Sequence, residues 1–202
     1  MTTQQGGRRA DAVRNRERVV AAAAQAFAEL GLDASMNEVA RRAGVGIATT
    51  LRHFAHRDEL VAAVFTDRMH RYAELIEAAA ALPDAGEGVR QCLLDVCELQ
   101  ASDRGLTRVL AGTYPAAPEF EAERERAHRS FADLVRRAQE QGRLRADFVP
   151  ADLPLLLMAN AGVIDCTAGH APDAWRRLVG YFMQALSAES AEPLDRPVKV
   201  SV

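Results

Sequence analysis

Between Gly46 and Arg52 the chain sets a glycine, two small apolar side chains, a hydroxyl and a guanidinium in the run GIATTLR. Each suits a different part of duplex DNA. A guanidinium such as Arg52 can fork onto O6 and N7 of guanine, the most frequent base-specific pairing, while Ile47 and Ala48 offer apolar contact to thymine methyl groups. Thr49 can donate to a phosphate oxygen, and Gly46 removes a β-carbon where the backbone would approach the duplex closely. Asn37, a little upstream, has an amide that can reach an adjacent base or phosphate. Arg8, Arg9, Arg14, Arg16 and Arg18 add the means to hold further phosphates, as a basic arm.

Other chemistries find less support in the sequence. There is no nucleophile elbow, no GxxxxGK[ST] phosphate loop, no HExxH and no GxGxxG, so neither an enzyme nor a bound cofactor is expected. His53 and His56 are three apart without a third ligand close in sequence, so no metal is expected. Cys92, Cys97 and Cys166 lack CxxC spacing and fall inside apolar helical patterns. A five-residue separation turns Cys92 and Cys97 about 140° apart on a helix, too far round to be bridged without unfolding it. In the C-terminal part, Asn160 and Asp165 interrupt an apolar helix, with Arg108 and Tyr114 nearby in sequence order. These four are the candidates for orienting a small molecule in an apolar cavity.

Helices must position these groups, because strand signals are nearly absent. Val20, Ala23, Ala24, Phe27 and Leu30 trace a stripe at helical spacing, with Gly31 placed to end it through a positive φ. Ser35 stands three residues before Glu38 as a capping box, and Gly44 closes the short helix that follows. A glycine turn then leads to a third helix with Leu51 and Phe54 on its inner side. Two helices joined this way form a helix-turn-helix, whose second member fits the DNA major groove. Charge agrees: residues 1–57 hold nine Arg against five acidic residues, a balance of +4, which leaves −7 for the rest of a chain of net charge −3.

The stretch RERVVAAAAQAFAELGLDASMNEVARRAGVGIATTLRHFAHRDELVAAVF, Arg16 to Phe65, closely resembles the N-terminal domain of the TetR family of transcriptional regulators. The resemblance rests on the AAxxxFxxxG ending of the first helix, the ExA…AGV block, the His53-Phe54 ending of the third helix and the Arg57 to Leu60 start of the fourth. QEQGRLRADFVPADL, Gln139 to Leu153, is similar to the junction between the family's seventh and eighth helices. It implies an all-α homodimer of about nine helices per subunit, a three-helix DNA-binding domain followed by a C-terminal domain that dimerises and binds a small effector. It also implies phosphate contacts for His53 and Arg57. One position departs: where the family reads Thr-Leu-Tyr, this chain has Thr49, Thr50 and Leu51. Leu51 and Thr50 lie three and four residues before Phe54, so both can face inward. Leu51 is expected to supply the core volume, leaving the tyrosine's phosphate bond unmade.

The fourth helix, Arg57 to Ala80, links the two parts and is the natural lever. Helix 8, about Pro150 to Thr167, is apolar on most of its circumference, and helix 9 carries Trp175, Leu178, Phe182 and Leu186 as one stripe. So much apolar surface calls for a second subunit, with Leu153, Leu156, Leu157, Trp175, Phe182 and Leu186 at the seam. The expected organisation is 1–57 as basic arm and DNA-binding domain, 58–187 as regulatory and dimerisation domain, and 188–202 as a disordered tail. No apolar run is long enough to span a bilayer and no secretory signal opens the chain, so the expected location is the cytoplasm. The expected function is a ligand-responsive regulator, most simply a repressor that binds a palindromic operator in double-stranded DNA and is released by an effector. A helical ligand-binding protein or a redox sensor is the alternative.

Overall fold

The computed structural model describes residues 3–110, 120–189 and 192–197, which carry nine α-helices and no strand. They group into two compact units, Met1–Asp67 and Arg68–Val202. The division falls inside the fourth helix, so the first turns of that helix belong with the N-terminal unit.

In the first unit, α1 (Thr3–Leu30) buries Val19, Ala22, Ala23, Ala26 and Phe27. This stripe is displaced by one residue from the one read in the sequence, and Leu30 is exposed. Gly31, at φ 77°, turns the chain so that Leu32 enters the core in its place. The second helix, α2 (Met36–Ala43), starts at Ser35, whose Oγ accepts from Glu38 N at 3.2 Å. Only half of the expected capping box forms, because the Glu38 carboxylate turns to Arg41 and Arg42 instead. Gly44 ends α2 at φ 63°, where a β-carbon would also come within 2.8 Å of the Arg18 guanidinium. After it α3 (Ile47–His53) runs into buried Phe54, over which Arg16 lies at 5.0 Å. The opening of α4 (Arg57–Ala80) closes the unit with Leu60, Val61, Val64 and Phe65, the last stacked on Phe27 at 6.2 Å. Each such buried side chain contributes about 1.5 to 3 kcal/mol.

The third helix corrects the sequence reading at its centre. Thr50 is fully buried, whereas Leu51 is 44% exposed. The threonine therefore occupies the core position and the leucine faces out.

In the second unit the remainder of α4 packs through Met69, Tyr72, Ala73, Ile76 and Ala79, with Leu75 only half-buried. Helix α5 (Ala85–Ser102) is capped by Asp84 and crosses α4 at Gly88. A β-carbon there would lie 2.6 Å from Ala79 O and 2.7 Å from Leu134 Cδ1, so only glycine permits the approach. Helix α6 (Arg104–Leu110) follows, then α7 (Glu121–Glu140), with Ala127, Phe131, Leu134, Val135 and Ala138 inward. Arg137 donates to Ala80 O and, at 2.7 Å, to Leu82 O, fastening carbonyls at and just beyond the end of α4.

A 3₁₀ turn at Pro150–Asp152 leads into α8 (Leu153–Thr167), which buries one stripe, Leu153, Leu157, Asn160 and Ile164. Helix α9 (Ala174–Ala185) buries Trp175 and Val179, with Leu186 just beyond it. Four residues proposed for a dimer seam, Leu153, Leu157, Trp175 and Leu186, are thus consumed by the chain's own core. Val179 takes the inner place read for Leu178 and Phe182, which are half-buried.

The tail also differs from expectation in its described part. Arg145, itself buried, pairs with Asp147 and donates to Ala185 O at 3.1 Å and Glu192 O at 2.5 Å, while Leu194 N donates to Asp147 Oδ2 at 2.7 Å. These bonds strap residues 192–194 to the α7–α8 junction, and the Arg145 guanidinium, helped by the Leu194 N–H, holds the Asp147 carboxyl well below the usual carboxylate range.

Candidate nucleic-acid interface

Helix α3 presents its outer surface in two rows one turn long. Ile47 and Leu51 form one, Ala48 and Arg52 the other, and all four are exposed. Thr49, half-buried beside them, accepts from Arg52 Nη2 at 3.3 Å. Gly46 N-caps the helix at φ −69°, and a β-carbon there would meet nothing within 4 Å. The fold itself makes no demand for glycine at 46; its lack of a side chain leaves the outside clear. Asn37 is exposed on α2.

His53 and Arg57 are half-buried at the far end of α3 and the start of α4. Arg57 Nη2 stands 3.9 Å from Asp33 Oδ1, so its charge is shared with an acid of the same unit. On α2, Glu38 takes Arg41 through two hydrogen bonds of 2.8 and 2.7 Å and Arg42 through one of 2.7 Å; Arg42 also reaches Glu29 at 2.8 Å. The Arg41 and Arg42 hydrogen bonds hold the Glu38 carboxyl at about 2. This network was not read from the sequence, although Glu38 at i−3 and i−4 from the two arginines is its signal. It leaves Arg52 as the guanidinium on the outer face of α3 with no acidic partner within its helix.

Of the ligand candidates of the second unit, the two whose side chains are described, Asn160 and Asp165, do not share a site. Asp165 is exposed, Tyr114 lies outside the described residues, and so does the side chain of Arg108. Asn160 is fully buried: its Nδ2 donates to Gln100 Oε1 at 2.9 Å, and Gln100 Nε2 donates to Leu157 O at 3.2 Å. Because a carbonyl can only accept, this chain of bonds has one direction, and it leaves Asn160 Oδ1 without a partner. Gln100 was missed in the sequence, though it sits one turn beyond Val96 and Cys97 on the inner stripe of α5. A shallow groove of about 190 Å³ beside Arg71, Leu75, Asp95, Glu98, Leu99 and Ser102 is lined largely by polar groups. Burial pushes the Cys97 thiol up to about 12 and Cys92 higher still, so both stay protonated, opposing a redox role for them. Among the described residues no three side chains are grouped to hold a metal ion, and no helix is long and apolar enough to cross a membrane.

The family model for bacterial regulatory proteins of the tetR family matches residues 19–64, which include α2 and α3 entire. A second model, the C-terminal domain of SbtR-like transcriptional regulators, matches residues 84–188. A TetR transcription regulatory protein from Mycobacterium vanbaalenii is 32% identical, with 89% of this chain and 98% of that chain covered and a TM-score of 0.50. Two further structures share the fold: the fatty acid degradation regulator FadR from Bacillus halodurans (16% identity, 89% and 97% covered, TM-score 0.63) and FadR from Bacillus subtilis in complex with stearoyl-CoA (14%, 87% and 99%, 0.62). No curated protein matches the chain.

Proposed function

Because the chain belongs to the TetR family of transcriptional regulators, we propose that it is a cytoplasmic repressor that binds a palindromic operator as a homodimer and leaves it when a small effector binds. The observation that carries the DNA-binding part is the outer face of α3, where a guanidinium and a row of apolar side chains stand exposed with no use inside the fold. Arg52 reads a base, while Thr49, His53 and Arg57 hold phosphates and Asn37 supports them from α2. The seam lies on the surfaces of α8 and α9 that the chain leaves uncovered, where Leu155 is 41% and Tyr181 54% exposed and Ala159, Gly162 and Gly180 allow close approach.

The effector, on this reading, enters the second unit and satisfies Asn160 Oδ1. It must therefore donate a hydrogen bond from an otherwise apolar body. The complex of the B. subtilis relative with stearoyl-CoA makes long apolar compounds a sensible first panel. Release works through spacing: a two-fold dimer must set its recognition helices about 34 Å apart to enter successive major grooves. A ligand that favours another spacing by about 1 to 3 kcal/mol lowers operator affinity about 5- to 150-fold.

The test is retention of DNA from a random duplex pool, followed by titration. Arg52→Ala should cost on the order of 1 to 3 kcal/mol and relax the preference at one position, whereas Arg57→Ala should weaken all sequences alike and flatten the salt dependence. Failure of the wild-type protein to retain any duplex at low salt would refute the proposal.

A further inference from the structure

Seven large apolar side chains stand exposed among the described residues, and Ile47 and Leu51, 38% and 44% exposed, are the pair set one helical turn apart. Both lie on a helix of seven residues whose core contact is made by Thr50. The row they form runs beside the Ala48–Arg52 row, so it occupies the surface that the proposed function places in the major groove. Leucine has no atom that can bond a phosphate, and covering this row with water gains nothing. What the major groove offers to an apolar side chain is the C5 methyl of thymine. We propose that Leu51, together with Ile47, reads thymine methyl groups, and that Leu51 is a specificity-determining residue rather than a backbone contact. This rests on the DNA-binding reading and extends it to the sequence that is bound: each half-site carries thymine beside the guanine taken by Arg52.

The flanking chemistry supports this occupant over another protein's apolar surface. Arg52 adjoins the row, with His53 behind it, and Gly46 leaves its entrance open. A polyanion with embedded methyl groups complements that combination, whereas a purely apolar partner would desolvate the guanidinium.

The experiment uses duplexes selected from a random pool by the full-length protein. Thymines are replaced one position at a time by deoxyuridine, which removes the methyl group alone, and affinity is read by fluorescence anisotropy. Burial of one methyl group predicts about a 4-fold loss at the reading position, and about 15-fold when both half-sites are changed. In Leu51→Ala the same replacement should change affinity less than about 2-fold, and Ile47→Ala should desensitise a neighbouring thymine. Leu51 is exposed, so its variant keeps the fold, which circular dichroism checks. Deoxyuridine tolerated at every position, or an equal loss in wild type and Leu51→Ala, overturns the assignment while leaving DNA binding intact. Selection of no preferred sequence overturns both.

Discussion

Thr50→Val should stabilise the protein. The Thr50 hydroxyl is fully buried at the core of the first unit, and its Oγ1 has no hydrogen-bond partner. Valine keeps the shape and the β-branching and removes the oxygen. Burial of a hydroxyl without compensation costs about 1 to 3 kcal/mol in protein mutational data, and this is the expected gain. For a chain of this size it corresponds to about 2 to 4 °C in Tm for each kcal/mol. The matched control is Leu51→Ala. Because Leu51 is exposed, its truncation should change stability by no more than about 0.5 kcal/mol, against about 2 to 5 kcal/mol if it filled the core. Urea unfolding of the full-length variants, followed by circular dichroism with the slope m held constant, reads both effects. A neutral or destabilising Thr50→Val means that the hydroxyl is bonded, and a costly Leu51→Ala restores leucine to the core; either result refutes the placement of this helix.

Acid should weaken α2 in a manner set by Glu38. Its pKa is depressed to about 2, so its stabilising contribution is complete above the ordinary glutamate value of about 4.3 and is lost as pH falls from there. Thermal midpoints measured between about pH 6 and pH 2 should fall less steeply over this window in Glu38→Gln than in wild type. At the proposed seam, Leu155→Glu or Tyr181→Glu should yield monomers of unchanged helicity by sedimentation and circular dichroism, whereas Leu157→Glu, buried within the subunit, should lose helicity instead. Dimers that survive both surface changes would place the seam elsewhere.

The glycine-marked ends of α1 and α2 and the start of α2 were legible because glycine and serine have local reasons to stand where they do, whereas α1 begins at Thr3 and so takes in Arg8 and Arg9, which the sequence assigned to a basic arm. Gly31 and Gly44 both adopt positive φ, and Ser35 caps α2, as their positions predict. Phase was harder. In VVAAAAQAF two adjacent stripes score alike, and the choice between them depends on Leu32 and Phe65, which arrive from elsewhere in the chain. At Thr50 and Leu51 hydrophobicity pointed to the wrong residue, because both sit within a turn of Phe54 and periodicity alone does not separate them. The same limit applies in the second unit: Asn160 announced itself by interrupting an apolar helix, but its partner Gln100 lies on another helix and becomes visible only when α5 and α8 meet. Apolar runs in α8 and α9 showed that much would be buried, without dividing the subunit's own core from what remains outside.

The closeness of Gly88 to Ala79, together with the bonds from Arg137 to Ala80 O and Leu82 O, anchors the C-terminal end of α4. Backbone carbonyls that a helix leaves orphaned at its C-terminus are thereby satisfied within the second unit. At 1.5 Å per residue the 24 residues of α4 measure about 36 Å. A side chain at position 88 would have to push α5 away from the end of α4 and so loosen that anchorage.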